Sequence, residues 1–251
     1  MQFKERAITD NIISIKNIDT PIYRIFSLSR IKEWLRSNEL VLVNPGKWDD
    51  PFENFFLKSK IDIGGGEIAS LDALANDWYG QCWTTNEDTD AMWRIYSHNK
   101  DGIRVKTTVR KLFTSIYDEK DTFASLKYFI GKVDYKTQDE IINIIHETPF
   151  SSVIFGGQNN KFASLLCIKR EAFSHEQEIR ILINDVDQKK GDAGCYRVHL
   201  DPRNVLDEIC IDPRANNAQL KIITSEIKAL NVNLPIIQSN LYKISLPDLK
   251  L

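Results

Sequence analysis

The segment Ser174-His-Glu-Gln-Glu-Ile-Arg-Ile-Leu-Ile183 constrains the chain most, because its apolar residues recur with the two-residue period of a β-strand. Successive side chains of a strand point to opposite faces, so Ile179, Ile181 and Ile183 share one face while Glu176, Glu178 and Arg180 share the other. A strand is therefore expected over residues 178–184, with one apolar and one charged face. Taken alone, such charged alternation suits a solvated sheet edge better than an active site.

The rest of the chain alternates between strand and helix signals. Residues 21–26 read as a first strand, and Ser29 as the cap of a helix with Ile31, Trp34 and Leu35 at helical spacing. A second strand follows at 40–43, and then a loop, 47–53, in which Asp49 or Asp50 can cap a turn ahead of Pro51. A glycine turn at 64–66, a helix over 68–78, a short buried strand at 81–84 and a helix over 90–96 come next. Beyond the Asp101-Gly102 turn the pattern gives strands at 103–106 and 129–135, and helices over 109–117 and 138–146. A turn at 156–160 leads to a helix over 162–173. The last third predicts strands at 195–200, 205–211 and 241–244 and a helix over 218–229. No repeat or linker interrupts the chain, so the expectation is one domain spanning residues 1–251. The irregular order of strands and helices argues for an α+β fold over a doubly wound sheet.

Composition narrows the function classes. Lys and Arg number 33 against 35 Asp and Glu, and this net charge of -2 gives no bulk attraction to nucleic acid or to anionic membrane. A nucleic-acid target needs a local basic channel, for which Lys106, Arg110, Lys111, Lys161, Lys169 and Arg170 are candidates. Cys82, Cys167, Cys195 and Cys210 form no CxxC pair and sit mostly in apolar surroundings, which reads as buried thiols in a reducing compartment. His98, His146, His175 and His199 lack metal-ligand spacing, so no metal site is expected. No P-loop or GxGxxG fingerprint is present. The N-terminus shows no apolar stretch of signal-peptide length and no segment approaches a membrane span, so a cytoplasmic location and no membrane partner are expected.

Beside the Glu176–Arg180 stretch, three segments concentrate polar chemistry. Tyr23 and Arg24 alternate in the first strand, so one of them can face a cleft while the other packs or is solvated. Cys82-Trp-Thr-Thr85 and Asp90-Ala-Met-Trp-Arg-Ile-Tyr96 bring hydroxyls and large aromatics together; a core explains the aromatics and explains Thr84 and Thr85 less well. Trp48-Asp-Asp-Pro-Phe-Glu53 is rich in carboxylates.

Together these segments resemble the bacterial family known as domain of unknown function 2971. The resemblance rests on Tyr23-Arg24, Asp49-Asp-Pro-Phe52, Cys82-Trp-Thr84, Met92-Trp-Arg-Ile-Tyr96 with Gly102, and Glu176-Gln-Glu-Ile-Arg180, with Ile209-Cys-Ile-Asp-Pro213 as a later strand and turn. Asp49 and Thr84 stand where the family usually has Asn and Ser. The order of an early strand with Arg, a central strand with Thr and a late Glu-x-Glu strand is also similar to ADP-ribosyltransferases. That second resemblance implies a split, largely antiparallel sheet around an NAD cleft, with helices packed outside.

By the same resemblance, NAD is the substrate, Glu178 is catalytic and Glu176 positions or deprotonates the acceptor. Tyr23 or Arg24 holds the ribose or diphosphate, Thr84 or Thr85 supports the cleft, Arg180 or Arg24 forks onto phosphate, and Trp93 and Tyr96 wall the nicotinamide pocket or pack the core. It further implies a toxin or defence effector that modifies a macromolecule, nucleic acid or protein, and is held in check by a neutralising antitoxin partner. Two other readings stay open: a divalent-metal nuclease with Asp49, Asp50, Glu176 and Glu178 as ligands, and a non-enzymatic interaction module.

Overall fold

The computed structural model describes residues 2–48, 50, 53, 60–64, 67–70, 76–148, 160–185 and 191–244. It is a mixed α+β structure whose strands pair mostly antiparallel. In chain order the strands are β1 (Ile12–Ile13), β2 (Pro21–Phe26), β3 (Glu39–Val43), β4 (Lys60–Gly64), β5 (Glu67–Ser70), β6 (Trp78–Thr84), β7 (Ile103–Thr108) and β8 (Tyr128–Lys132). They continue with β9 (Asp134–Lys136), β10 (Ile168–Arg170), β11 (Glu178–Asn184), β12 (Gly191–Asp192), β13 (Cys195–His199), β14 (Glu208–Ile211) and β15 (Ile236–Gln238). The chain divides into two compact units, one of residues 1–22, 39–85 and 108–200, the other of residues 23–38, 86–107 and 201–251.

In the first unit β11 lies between β8 and β6, antiparallel to both, and every one of its residues is buried. The expected solvated edge is thus an interior strand. Ile179, Ile181 and Ile183 bury one face as the alternation requires, but the charged face is buried too. Outward from this centre β1 runs parallel to β8, β3 pairs with β6, and β13 pairs with β3. Against Phe129 and Leu182 packs the helix Asn160–Leu165, whose Phe162 stacks on Trp78 with ring centroids 5.0 Å apart and planes at 13°. Each such buried aromatic or aliphatic side chain stabilises the fold by about 1.5–3 kcal/mol. Gly131 makes this layer possible, since a Cβ there would stand 2.4 Å from the Cys167 sulfur.

In the second unit β7 lies between β2 and β14, and β15 extends the order in parallel with β14. The helix Leu28–Ser37 buries Ile31, Trp34 and Leu35, the residues whose spacing marked it. Its cap is Ser27, not Ser29: Ser27 Oγ accepts from the Arg30 amide, and Asn38 closes the other end in the left-handed region at φ 55°. Asn216 and Gln219 form a capping box that starts the helix Asn217–Lys228.

Several elements differ from the sequence expectation, each for a local reason. The polar N-terminus forms the helix Gln2–Asn11, anchored where the Asn11 amide donates to the carbonyls of Ser125 and Tyr128 at 2.8 and 2.9 Å. The helix expected over 162–173 ends at Leu165 because Ile168–Arg170 pair as β10 with β9, after which Glu171–Glu176 wind into a 3-10 turn. The strand over 129–135 breaks at Val133 into β8 and β9. The strand over 205–211 begins instead as a short helix, Pro202–Val205, capped by Asp201. No strand forms at 241–244, where Lys243 turns back onto the Asn240 carbonyl; β15 takes the last place. Residues 68–70 of the helix expected over 68–78 belong to strand β5, and Trp78 opens β6, while 71–75 lie outside the described residues. So do Asp49, Pro51, Phe52, two of the three residues of the 64–66 turn, and 156–159 of the later turn. The four cysteines are free thiols, with Cys167 and Cys210 buried and Cys82 and Cys195 half-buried.

Candidate active site at the start of β11

β11 begins with a change of direction. Gln177 adopts the left-handed region at φ 44° and ψ 54°, ending the 3-10 turn one residue before the strand. Glu176 therefore belongs to the turn and not to the charged face of the strand, which corrects the simple alternation. Its carbonyl accepts a 2.6 Å bond from Thr84 Oγ1, and the Gln177 carbonyl accepts one from the Thr85 amide at 3.1 Å. Thr84, opposite Glu178 in the register, thus ties the turn to β6. On the other side the Glu178 amide donates to Tyr135 Oη at 2.9 Å.

The turn folds Glu176 back so that both carboxylates reach one ammonium. Lys169 Nζ lies 2.6 Å from Glu176 Oε2, 2.8 Å from Glu178 Oε1 and 2.7 Å from Glu53 Oε1. Those contacts match the three N–H donors of the ammonium group. Arg180 completes the cluster: Nε donates to Glu178 Oε2 at 2.8 Å, Nη2 to Glu53 Oε1 at 2.8 Å and Nη1 to the Leu166 carbonyl at 2.7 Å. The guanidinium also lies 4.4 Å from the centroid of the Trp48 ring, and Lys169 Nζ 4.7 Å from that of Phe173. Arg180 is 0% exposed, so its place is to hold Glu178 and Glu53.

Charge counting gives the protonation pattern. Three carboxylates face two cations, leaving one negative charge in excess in a buried site. Burial works against ionising Glu178, yet the attraction of Arg180, the bonding with Glu176 and the Lys169 ammonium hold its carboxyl well below the usual range. Burial raises Glu176 toward neutrality, and bonding to Glu178 raises it further while Lys169 offsets only part. Burial opposes the charge on Lys169 as well, but Glu178 first and the bonds from all three carboxylates keep its pKa above the ordinary value. The result is one carboxylate fixed as an anion beside one that titrates near neutral pH.

Lys169, one of the candidates for a basic channel, is only 6% exposed at the heart of this cluster. Two more channel candidates are also occupied: Arg170 forks onto Asp50 at 2.8 and 3.2 Å, and Arg110 onto Asp19 at 2.7 and 2.9 Å. Glu53, Lys169 and Tyr135 are the members that alternation could not find, because none lies on β11; the signal available was a charged residue inside the apolar run Leu165-Leu-Cys-Ile-Lys169. Among the described residues no group of three or more His, Cys, Asp or Glu is arranged to hold a metal ion. Of the ligands that a nuclease reading assigns to a metal, Glu176 and Glu178 face Lys169 and Asp50 faces Arg170, while Asp49 lies outside the described residues.

Of the residues assigned to NAD in the sequence, Tyr23, Arg24, Trp93 and Tyr96 lie in the second unit. Tyr23 is buried, its ring 5.1 Å from the Arg104 guanidinium, and burial followed by Glu87 raises its pKa. The Arg24 guanidinium stacks 5.1 Å from the Phe26 ring. Trp93 is 0% exposed and its indole N–H donates to Asp88, whereas Tyr96 is 44% exposed. Just beyond, Ser97 Oγ donates to Asp212 and accepts the Gly102 amide at 2.9 Å. Arg214 clamps Asp212 and donates to the carbonyls of Trp93 and Ser97 at 2.8 and 2.7 Å. The segments Met92–Tyr96 with Gly102 and Ile209–Pro213 therefore meet in one hydrogen-bonded knot.

Among the described residues no helix is long and apolar enough to cross a membrane. No curated protein matches the chain significantly. Among solved structures, the Thermus sp. 2.9 DarT in complex with NAD+ is similar at 10% identity and a TM-score of 0.41, covering 90% of this chain and 98% of that one. The same protein in complex with ADP-ribosylated ssDNA is similar at 11% identity and a TM-score of 0.40, covering 88% and 93%. The model of the family described as "Protein of unknown function (DUF2971)" matches residues 92–181, a span that runs from the Met92–Tyr96 helix through Lys169, Glu176, Glu178 and Arg180.

Proposed function

We propose that the chain is an NAD-dependent ADP-ribosyltransferase whose chemistry centres on Glu178. The observation that carries this reading is the pairing at the start of β11 of a carboxylate held ionised by Arg180 and Lys169 with a second, Glu176, poised near neutrality. Cleaving the nicotinamide–ribose bond leaves its electron pair on nicotinamide and positive charge on the ribose carbon. A fixed anion stabilises that charge without reorganising at the moment of reaction. The acceptor nucleophile then supplies the electron pair for the new bond and gives up a proton, which Glu176 in its ionised form is suited to take.

In this reading Thr84 and Thr85 hold the Glu176–Glu178 turn against β6, and Arg180 positions Glu178. Tyr23, Arg24 and Tyr96 are assigned to the NAD side of the reaction by resemblance, whereas Trp93, which has no exposed surface, takes the core-packing role. The acceptor is a macromolecule, nucleic acid or protein, and the activity is that of a toxin or defence effector kept in check by an antitoxin.

The test is incubation of the purified chain with NAD labelled in the ADP-ribose moiety and a bacterial lysate, beside Glu178→Gln. Release of nicotinamide with transfer of label to macromolecules, lost in the variant, is the expected result. Wild-type protein that consumes no NAD and labels nothing, while both proteins remain folded by circular dichroism, overturns the reading.

A further inference from the structure

A pocket of about 360 Å³ opens in the first unit on the opposite side of β11 from the carboxylate cluster. Ile179 lines it, and alternation along the strand directs Ile179 away from Glu178. Thr85, the residue that follows β6, lines it too, and Lys132 stands opposite Ile179 in the register of β8 and β11. The fold builds the opposite wall from the loop that follows β1. The pairing of Ile13 with Gly131 sends that loop past the end of β8, where Lys132 stands, and Ser14 turns it sharply at φ 57°. Its far end is fixed where the Ile18 carbonyl accepts the Arg110 amide at 2.8 Å and Asp19 is clamped by the Arg110 side chain. The wall is therefore held at both ends before any ligand arrives.

The lining is of two kinds. Ile15, Ile22 and Ile179 supply an apolar interior, while Lys16 and Lys132 supply two cations and Thr20 and Thr85 two hydroxyls. Neither Lys16 nor Lys132 has an ion-pair partner among the described residues, although Arg110 close by in sequence to the pocket residue Val109 is fully engaged by Asp19. Two unpaired ammonium groups beside an apolar hollow of this size match a small molecule that joins a phosphate to an apolar ring, and the hydroxyls can bond the sugar or ring edge between.

We infer that this pocket binds a nucleoside monophosphate, its phosphate on Lys16 and Lys132 and its base against the isoleucines, at a site separate from Glu178. The inference does not depend on the transferase reading. It is tested by titrating the full chain with AMP, adenosine and inorganic phosphate in a calorimeter, beside Lys16→Ala/Lys132→Ala and Ile179→Asn, and by repeating the AMP titration with saturating NAD.

Saturable AMP binding is expected, at least tenfold tighter than either fragment and weakened at least tenfold in the double lysine variant. NAD is expected to leave it in place. Absence of saturable binding, or binding indifferent to both variants, overturns the proposal, as does competitive displacement by NAD, which would merge the pocket with the transferase site. Ile179→Asn changes a core strand, so the exposed lysine pair is the deciding variant, its fold checked by an unchanged melting temperature.

Discussion

Glu178 and Arg180, two residues apart on one buried strand, are joined by a 2.8 Å bond from Nε to Oε2, and the arginine has no exposed surface. The pair cannot relax toward water when either member is changed. That rigidity makes Glu178 suited to electrostatic work and at the same time makes it costly to replace.

Glu178→Gln should therefore lose activity and stability together. The amide removes the charge that offsets Arg180 and Lys169, and breaking one partner from a buried ion pair costs about 3–5 kcal/mol. Thermal unfolding followed by circular dichroism checks this; a melting point equal to that of the wild type would show that the cluster does not bind Glu178 as tightly as its distances indicate.

Lys169→Met leaves Glu53, Glu176 and Glu178 facing Arg180 alone. The variant should take up protons on folding, so its stability should rise as pH falls from 8 to 6, on the scale of about 1.4 kcal/mol for each pKa unit by which a carboxyl shifts. Urea titrations at several pH values give the slope directly. A pH-independent variant would mean that the carboxylates disperse once the lysine is gone.

Glu176 imposes a pH dependence on the wild type of opposite sign to that of Glu178. Its pKa is raised to about 7 in the folded chain from about 4.5, so between those values the native state holds more proton than the unfolded state. Its contribution to stability is present below about pH 4.5 and is lost as pH rises toward 7. Glu178, depressed by Arg180 and its other partners, contributes stability above the ordinary carboxyl range that fades as pH falls below it. Glu176→Gln should remove the first dependence and keep the second, as comparison of the two stability profiles between pH 4 and 8 would reveal.

In the other unit, Ser97→Ala and Gly102→Ala should each destabilise. The first leaves the Gly102 amide and buried Asp212 short of a partner, at about 1–3 kcal/mol. The second places a Cβ 2.5 Å from Ser97 Oγ and forces the turn apart. Denaturant midpoints of the two variants decide it, and a stability unchanged by Ser97→Ala would show that the knot does not hold these segments together.

The strand of Glu178 was legible because a period of two over seven residues, Glu178–Asn184, leaves few alternatives. That its charged side is buried was not, since alternation states which residues share a face and is silent on what covers it. Lys169 shows the same limit from the other direction. Pairing of Ile168–Arg170 with Asp134–Lys136 turns an apparent helix into a strand and delivers the ammonium to the carboxylates, and no local pattern encodes that pairing. Helix Leu28–Ser37 is legible in its buried residues yet is capped two residues earlier than expected, at Ser27, because two serines within hydrogen-bonding reach of each other offer equivalent local chemistry.

The odd number of charges around Lys169 also limits how the chain can vary over descent. Losing the lysine alone strands three acids, and losing one acid alone alters the proton count of the others, so tolerated histories pass through paired replacements. Homologous chains in which residue 169 is neutral should carry a neutral residue at position 53 or 176 as well, while the acid at 178 stays matched to the arginine at 180.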